Sequence, residues 1–210
     1  MSAATGVSPP QEVRVGGGRL DSTSRPALVM VDCQCLFTLG GSPGTRLHAA
    51  AVNAGKAAAT AREFGLPVVW LRTVYHDASE IGPVWRVKAP ALSQLRQDDQ
   101  LAGFDNRVGY REGEPVVTKK RASGFVGTGL DALLRDLGVR TLAVAGFTTG
   151  GCVRATVVDA ASLDYLPVIL PDAMADRSQE IHDAALVDLD ARYGDVIDSS
   201  EWFVRVAARN

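Results

Sequence analysis

Short apolar runs recur along this chain with helix-length segments between them, and few folds accept that alternation. The runs occupy residues 27–32, 67–74, 116–120, 141–145 and 167–170, with a shorter one around Val196-Ile197. Most are apolar at successive positions, as expected of strands covered on both faces. The segments between them carry helical patterns. Residues 47–64 form an Ala-rich helix closed by Gly65, and residues 130–137 form a helix ended by Gly138. Residues 153–163 place Val153, Val157, Ala160 and Ala161 at helical spacing, and a further helix is expected near 181–193. This order predicts an α/β protein: a three-layer α/β/α, mostly parallel, Rossmann-like open sheet of about six strands. In such sheets ligands bind beyond the carboxyl ends of the strands, at the point where strand order reverses.

A length of 210 residues fits one domain, expected over 25–210. Residues 1–24 carry Ser, Pro and Gly16-Gly17-Gly18 and read as an arm, mobile or packed on a partner subunit. Residues 75–111 are irregular, with Gly82-Pro83 and Ala89-Pro90, and are the natural place for loops over an active site. With 22 basic against 24 acidic residues the formal charge is −2, and there is no basic stripe for nucleic acid or an anionic membrane. The apolar runs are too short to span a bilayer. Gln11, Glu12 and Arg14 stand where a signal peptide would have its apolar core. Three cysteines, with Cys33 and Cys35 too close for an easy bridge, point to free thiols and a cytoplasmic location.

The segment Gly146-Phe147-Thr148-Thr149-Gly150-Gly151-Cys152-Val153 sits between a predicted strand and a predicted helix. A buried structural thiol is the plain explanation of a free cysteine. A helix start, however, offers unpaired N–H groups and a positive dipole end, which favour a thiolate nucleophile. The backbone N–H groups of Cys152 and Thr148 would then serve as oxyanion donors. Asp32 ends an apolar strand and is either a turn former or, if it faces Cys152, a base for the thiol proton. Lys119 and Lys120 end another strand; alternation lets only one point into a shared crevice, and a solvated face is the alternative for both. Asp172 also falls at a predicted strand end. Arg177 is either a surface partner of Asp176 or a fork for a substrate carboxylate. The histidines, His48, His76 and His182, have no metal-ligand spacing, so neither metal nor other cofactor is expected.

Three ordered segments resemble the isochorismatase-like cysteine hydrolases over roughly residues 25–200. They are Leu28-Val29-Met30-Val31-Asp32-Cys33-Gln34-Cys35-Leu36-Phe37, Thr118-Lys119-Lys120-Arg121-Ala122-Ser123-Gly124-Phe125, and Gly146 to Val153 followed by Asp159-Ala160. The resemblance implies a triad of Asp32, Lys119 and Cys152, selecting Lys119 over Lys120 by its spacing from Phe125. It also implies a cis peptide bond between Phe147 and Thr148. Within the superfamily, the stretches around Cys152, Asp172–Arg177 and Arg192–Val196 are most similar to the N-carbamoylsarcosine amidase and maleamate amidohydrolase branch. That branch implies Arg177 as the carboxylate partner; Phe37, Trp85 and Thr149 are expected to line the substrate pocket. It further implies a homo-oligomer, a tetramer. The expected activity is hydrolysis of a small linear amide or N-carbamoyl carboxylate through a thioester, with ammonia released.

Two departures from other branches matter. Arg72-Thr73-Val74-Tyr75-His76-Asp77 lacks the Asp-x-His-x-x-His metal motif of nicotinamidases, and a cysteine nucleophile is not used by hydrolases of the vinyl ether isochorismate. The competing readings are that vinyl-ether hydrolase, a thiol redox protein using Cys152 or the Cys33/Cys35 pair, and a non-catalytic partner protein on the same scaffold.

Overall fold

The computed structural model describes residues 18–39 and 46–209. Six strands, β1 (Pro26–Val31), β2 (Val68–Thr73), β3 (Val116–Lys119), β4 (Thr141–Phe147), β5 (Leu166–Ala175) and β6 (Asp195–Val196), form one all-parallel sheet in the order β3-β2-β1-β4-β5-β6. The expected three-layer architecture is present. Around the sheet lie α1 (Cys35–Leu39), α2 (Arg46–Glu63), α3 (Pro83–Lys88), α4 (Leu130–Asp136), α5 (Arg154–Ser162), α6 (Gln179–Arg192) and α7 (Ser199–Ala207).

Strand alternation distributes the apolar side chains to two cores. Leu28 and Met30 of β1 pack on one side with Ala51, Ala54 and Ala58 of α2 and Trp202 of α7. Ala27, Val29 and Val31 face the other side, against Leu134 of α4, Val157 of α5 and Leu189 of α6. Both faces of β1 and β4 are therefore dry, which is why those strands read as continuous apolar runs. α2 is Ala-rich because small side chains let its axis lie close to the sheet.

The strand order reverses between β1 and β4. Chain direction carries Asp32, the end of β2, Lys119 and the residues after β4 to the same edge of the sheet. The closest approach there is Gly146, which has φ +121; a Cβ at this position would stand 2.0 Å from the Val31 carbonyl oxygen. Only glycine fits between β4 and β1 in that conformation.

Three sequence expectations are refined. β5 continues to Ala175 instead of ending at 170, so Asp172 lies inside the strand. Its carboxylate accepts from Ser199 N (2.9 Å) and Ser199 Oγ (2.6 Å) at the start of α7, and it takes no part in the crevice. α7 itself was not anticipated; it buries Trp202, Phe203 and Val206. The described part of the amino-terminal arm is fastened to this same end of the chain. Trp202 Nε1 donates to Ser22 O at 2.9 Å, Leu20 N to Asp195 Oδ2 at 3.0 Å, and Arg19 pairs with Asp190 at 2.6 Å. The remainder of that arm, with Gly16 and Gly17, lies outside the described residues.

Gly146→Ala is expected to destabilise the protein by about 3 kcal/mol or more, because backbone must move to admit the methyl group. Thermal unfolding followed by circular dichroism checks this; a melting curve superimposable on that of the parent would contradict the packing described.

Candidate active site

Asp32 follows β1 with φ +45, a conformation that turns its carboxylate back under the sheet edge and that Asp tolerates better than most residues. Both Asp32 and Lys119 are completely buried. Lys119 Nζ donates to Asp32 Oδ2 at 2.7 Å, to Thr73 Oγ1 at 2.8 Å and to Arg121 O at 3.1 Å. Thr73 Oγ1 in turn donates to Asp32 Oδ1 at 3.1 Å. The three ammonium protons thus each have an acceptor, the condition under which a buried charge pair is tolerable. Gln34 locks the framework: its Oε1 accepts from Thr73 N at 2.8 Å, and its Nε2 donates to Thr73 O (2.9 Å) and Ala102 O (2.7 Å).

Lys120 points the other way, as alternation requires. Its ammonium pairs with Glu80 at 2.6 Å and lies 5.6 Å from the Tyr75 ring centroid.

After β4 the Phe147–Thr148 peptide bond is cis, and residues Thr149–Val153 form a turn kinked at Gly151 (φ −106, ψ −110) that leads into α5. Cys152 lies in that turn. Two side chains from the segment between β5 and α6, and from α6 itself, hold the turn in place. Gly150 N donates to Asp176 Oδ2 at 2.7 Å, and Thr149 Oγ1 is 2.8 Å from His182 Nδ1. Thr149, Asp176 and His182 are all buried. A Cβ at Gly150 would press on Ile181 at 3.1 Å, so glycine also permits the close seat on α6.

The half-buried Cys152 lines a cavity of about 360 Å³ together with Phe37, Thr73, Trp85, Thr148 and Arg154. That volume is at the small end of the roughly 300–1,000 Å³ typical of ligand pockets, so it suits a compound of few heavy atoms. Trp85 comes from α3 and Leu92 from the 3-10 turn Pro90–Gln94, so the irregular segment does cover the site.

Burial and the Asp32 carboxylate push the Cys152 thiol up to about 12, although Lys119 pulls the other way. The helix start favours a thiolate, but burial and the adjacent Asp32 act against it and hold the sulfur toward its protonated form. Burial opposes the Lys119 ammonium as well, but the Asp32 carboxylate and the Cys152 sulfur hold its pKa above the usual lysine value. The surroundings thus favour the protonated form of the Cys152 sulfur and the charged form of the Lys119 nitrogen.

Of the residues expected from the sequence, Asp32, Lys119, Cys152, Thr148, Phe37 and Trp85 converge at this edge of the sheet. Thr149 is buried beneath the turn, with its hydroxyl on His182. Arg177 is exposed, one residue past Asp176, and its own N–H donates to Asp176 Oδ1 at 2.8 Å; it is not among the described residues lining the cavity. Sequence reasoning missed Gln34, Thr73, Asp176 and His182 as supports, and Arg154 as a lining residue. The histidines are apart, with His48 on Arg107 and His76 N–H on Glu80. Cys33 and Cys35 are free thiols; burial raises the pKa of each. No described helix is long and apolar enough to cross a membrane.

Cys152, Asp32 and Lys119 are gathered at the switch point of a parallel α/β sheet, where ligands bind in folds of this class. The chain matches the isochorismatase domain model over residues 26–201 and belongs to the isochorismatase family. It is 36% identical over 188 residues to a maleamate amidohydrolase of Pseudomonas putida, covering 87% of each chain. It is 34% identical over 186 residues to an N-carbamoylsarcosine amidase of an Arthrobacter species, covering 85% of this chain and 70% of that one. Among solved structures, a cysteine hydrolase from Pseudomonas syringae pv. phaseolicola shares the fold with a TM-score of 0.80 at 22% identity, covering 95% of this chain and 100% of that one. An isochorismatase family protein from Desulfovibrio vulgaris superimposes with a TM-score of 0.75 at 28% identity, covering 87% and 98% of the two chains.

Since the Cys152 thiol pKa lies well above neutrality, thiolate absorbance from this residue is absent at neutral pH and does not reach a plateau by about pH 10. The ultraviolet difference titration between the parent protein and Cys152→Ser checks this. A completed thiolate step between about pH 6 and about pH 9 would contradict it.

Proposed function

We propose that this chain is a cysteine amidohydrolase that cleaves a small linear amide or N-carbamoyl compound bearing a carboxylate. The observation that carries the reading is the Cys152 thiol in a small cavity, coupled to the fully buried Asp32–Lys119 pair. Family membership and the amidohydrolases among its relatives support the same reaction class.

The protonated thiol sets the order of events. Asp32 accepts the thiol proton as sulfur attacks the amide carbon, forming the C–S bond. Lys119 remains charged and lowers the cost of the thiolate in this dry setting. The developing oxyanion is held by the backbone N–H groups of Thr148 and Cys152, both of which line the cavity. Collapse breaks the C–N bond, and the proton on Asp32 goes to the departing nitrogen, giving ammonia. Asp32 then takes a proton from water, whose oxygen attacks the thioester carbon. The C–S bond breaks, the proton returns to sulfur, and the carboxylic acid leaves. The net change is amide plus water to acid plus ammonia, with no redox partner required.

Phe37 and Trp85 wall the pocket, and Thr149 shapes it from beneath. Arg177, implied by the resemblance, is the partner of the substrate carboxylate in this reading, and Arg154 is the basic residue lining the cavity among those described. The substrate class is that of maleamate, N-carbamoylsarcosine and related ureido acids. The same reading takes residues 25–210 as the hydrolase domain of a homotetramer and residues 1–24 as a mobile or partner-packed arm, whose residues Arg19 to Ser22 are anchored on their own chain. Free thiols fit a cytoplasmic enzyme.

Cys152→Ala is expected to abolish ammonia release from a panel of such amides, and Asp32→Asn to lower kcat by about 10²- to 10⁴-fold. Coupled ammonia detection, with circular dichroism to verify folding, is the measurement. Parent-like turnover in Cys152→Ala would exclude the covalent route.

A further inference from the structure

Two strands separate β3, which ends in Lys119, from β4, which leads into the Cys152 turn. Sheet pairing alone therefore leaves the sulfur free to drift relative to the ammonium. A direct tie between the two runs through Thr156, a completely buried residue in the first turn of α5. Its Oγ1 donates to the Cys152 carbonyl oxygen at 2.7 Å and accepts from the Gly124 N–H at 3.0 Å. A hydroxyl has one proton to give, and here it goes to the nucleophile's own peptide group. Inside a helix, a threonine bonded to the carbonyl four residues earlier does little more than bend it. Here that carbonyl belongs to the turn kinked at Gly151, so the contact fixes how α5 joins the nucleophile.

Gly124 lies in the loop that leaves β3 directly after Lys119. That loop touches the buried pair at one end and Thr156 at the other. Arg121 O accepts from Lys119 Nζ at 3.1 Å, and three residues later Gly124 N–H reaches the threonine hydroxyl. The loop is tightly seated: a Cβ at Gly124 would stand 2.4 Å from Leu71 Cδ1 of β2 and 3.1 Å from Leu130 Cδ2 of α4. The Gly124 carbonyl is held as well, by the Thr128 hydroxyl. One short stretch of backbone thus carries the ammonium's third acceptor and the anchor for Thr156.

We propose that Thr156 is the positioning residue of the nucleophile, its hydroxyl tying the Cys152 peptide to the Lys119 loop so that sulfur keeps its place against the Asp32–Lys119 pair. The inference rests on the amidohydrolase reading and deepens it. Cys152 supplies both the attacking sulfur and an oxyanion N–H in that reading, so a shift of this one residue displaces both together. A displacement of about 1 Å at a reacting centre costs about 10²-fold in rate. Phe37 and Trp85 stand on other elements, so binding of the ground-state substrate does not depend on the tie.

The test measures kcat and KM for ammonia release from maleamate and N-carbamoylsarcosine, with thermal unfolding of each variant by circular dichroism. Thr156→Val keeps the shape and removes the hydroxyl; kcat falls about 10- to 100-fold while KM stays within about threefold. Thr156→Ser keeps the hydroxyl and holds kcat within about threefold of the parent. Thr128→Val removes the other hydroxyl on the Gly124 peptide without touching Cys152. It lowers the melting temperature, yet kcat stays within about threefold. Where Thr156→Val does not fold, Thr156→Ala is compared with Thr156→Ser in its place. Parent-like kcat in the variant lacking the hydroxyl, an equal loss in Thr156→Ser, or the same loss in Thr128→Val overturns the assignment and leaves the hydrolase reading intact. A parent enzyme that releases no ammonia from either compound overturns the hydrolase reading and this inference with it.

Discussion

The ion pair between Lys119 and Asp32 is the constraint around which the site is organised. Both groups are wholly removed from water and 2.7 Å apart. Burying either one alone would be prohibitive, and removing one partner from such a pair typically costs about 3–5 kcal/mol. Three strands must end in register for the pair to exist, because Asp32 follows β1, Thr73 ends β2 and Lys119 ends β3, and the Cys152 turn after β4 reaches the same edge. The sheet therefore supplies more than a platform. Its order places the charges, Thr73 Oγ1 and the Arg121 carbonyl accept the remaining ammonium protons, and Gln34 pins the Thr73 backbone.

The pair also explains the state of the sulfur. A cysteine at a helix start is usually argued to be an anion, but here the neighbouring carboxylate and the loss of solvent outweigh the ammonium. A resting thiol is chemically useful in this position. In the proposed reaction Asp32 is already adjacent as base, so charge separation would be confined to the moment of attack, with the electrophile replacing the proton as the partner of sulfur. The nucleophile's turn is meanwhile held from outside the cavity by Asp176 and His182. That frees its inner surface, with Thr148, Gly150 and Gly151, to face a ligand.

The central strands were legible because each is covered on both faces and so reads as an uninterrupted apolar run. β5 was cut short for a physical reason. Between Val144 and Gly146 the pairing partners on β5 jump from Ile169 to Met174, so an irregularity absorbs Pro171 and Asp172 within one strand. A proline and an acid read as a strand end unless pairing is seen. Asp32, Lys119 and Cys152 were legible as chemistry because charged or nucleophilic residues at strand ends are conspicuous. Thr73 and Gln34 were not, since a threonine closing a strand and an amide in a loop look alike whether they are buried or solvated. Arg154 was hidden in the same way. An arginine early in a helix is ordinarily a surface residue, and only the placement of α3 and the turn after it over the Cys152 segment turns its surroundings into a cavity.

The account depends on sulfur becoming covalently attached to substrate carbon. The most direct measurement is acid-quenched mass spectrometry of the enzyme mixed with an amide that it turns over, followed by peptide mapping. The account predicts an added acyl mass, equal to the substrate less ammonia, on the peptide carrying Cys152 and absent in Cys152→Ala. Steady turnover with no adduct on that peptide at any quench time, or an adduct placed on Cys33 or Cys35 instead, would contradict it.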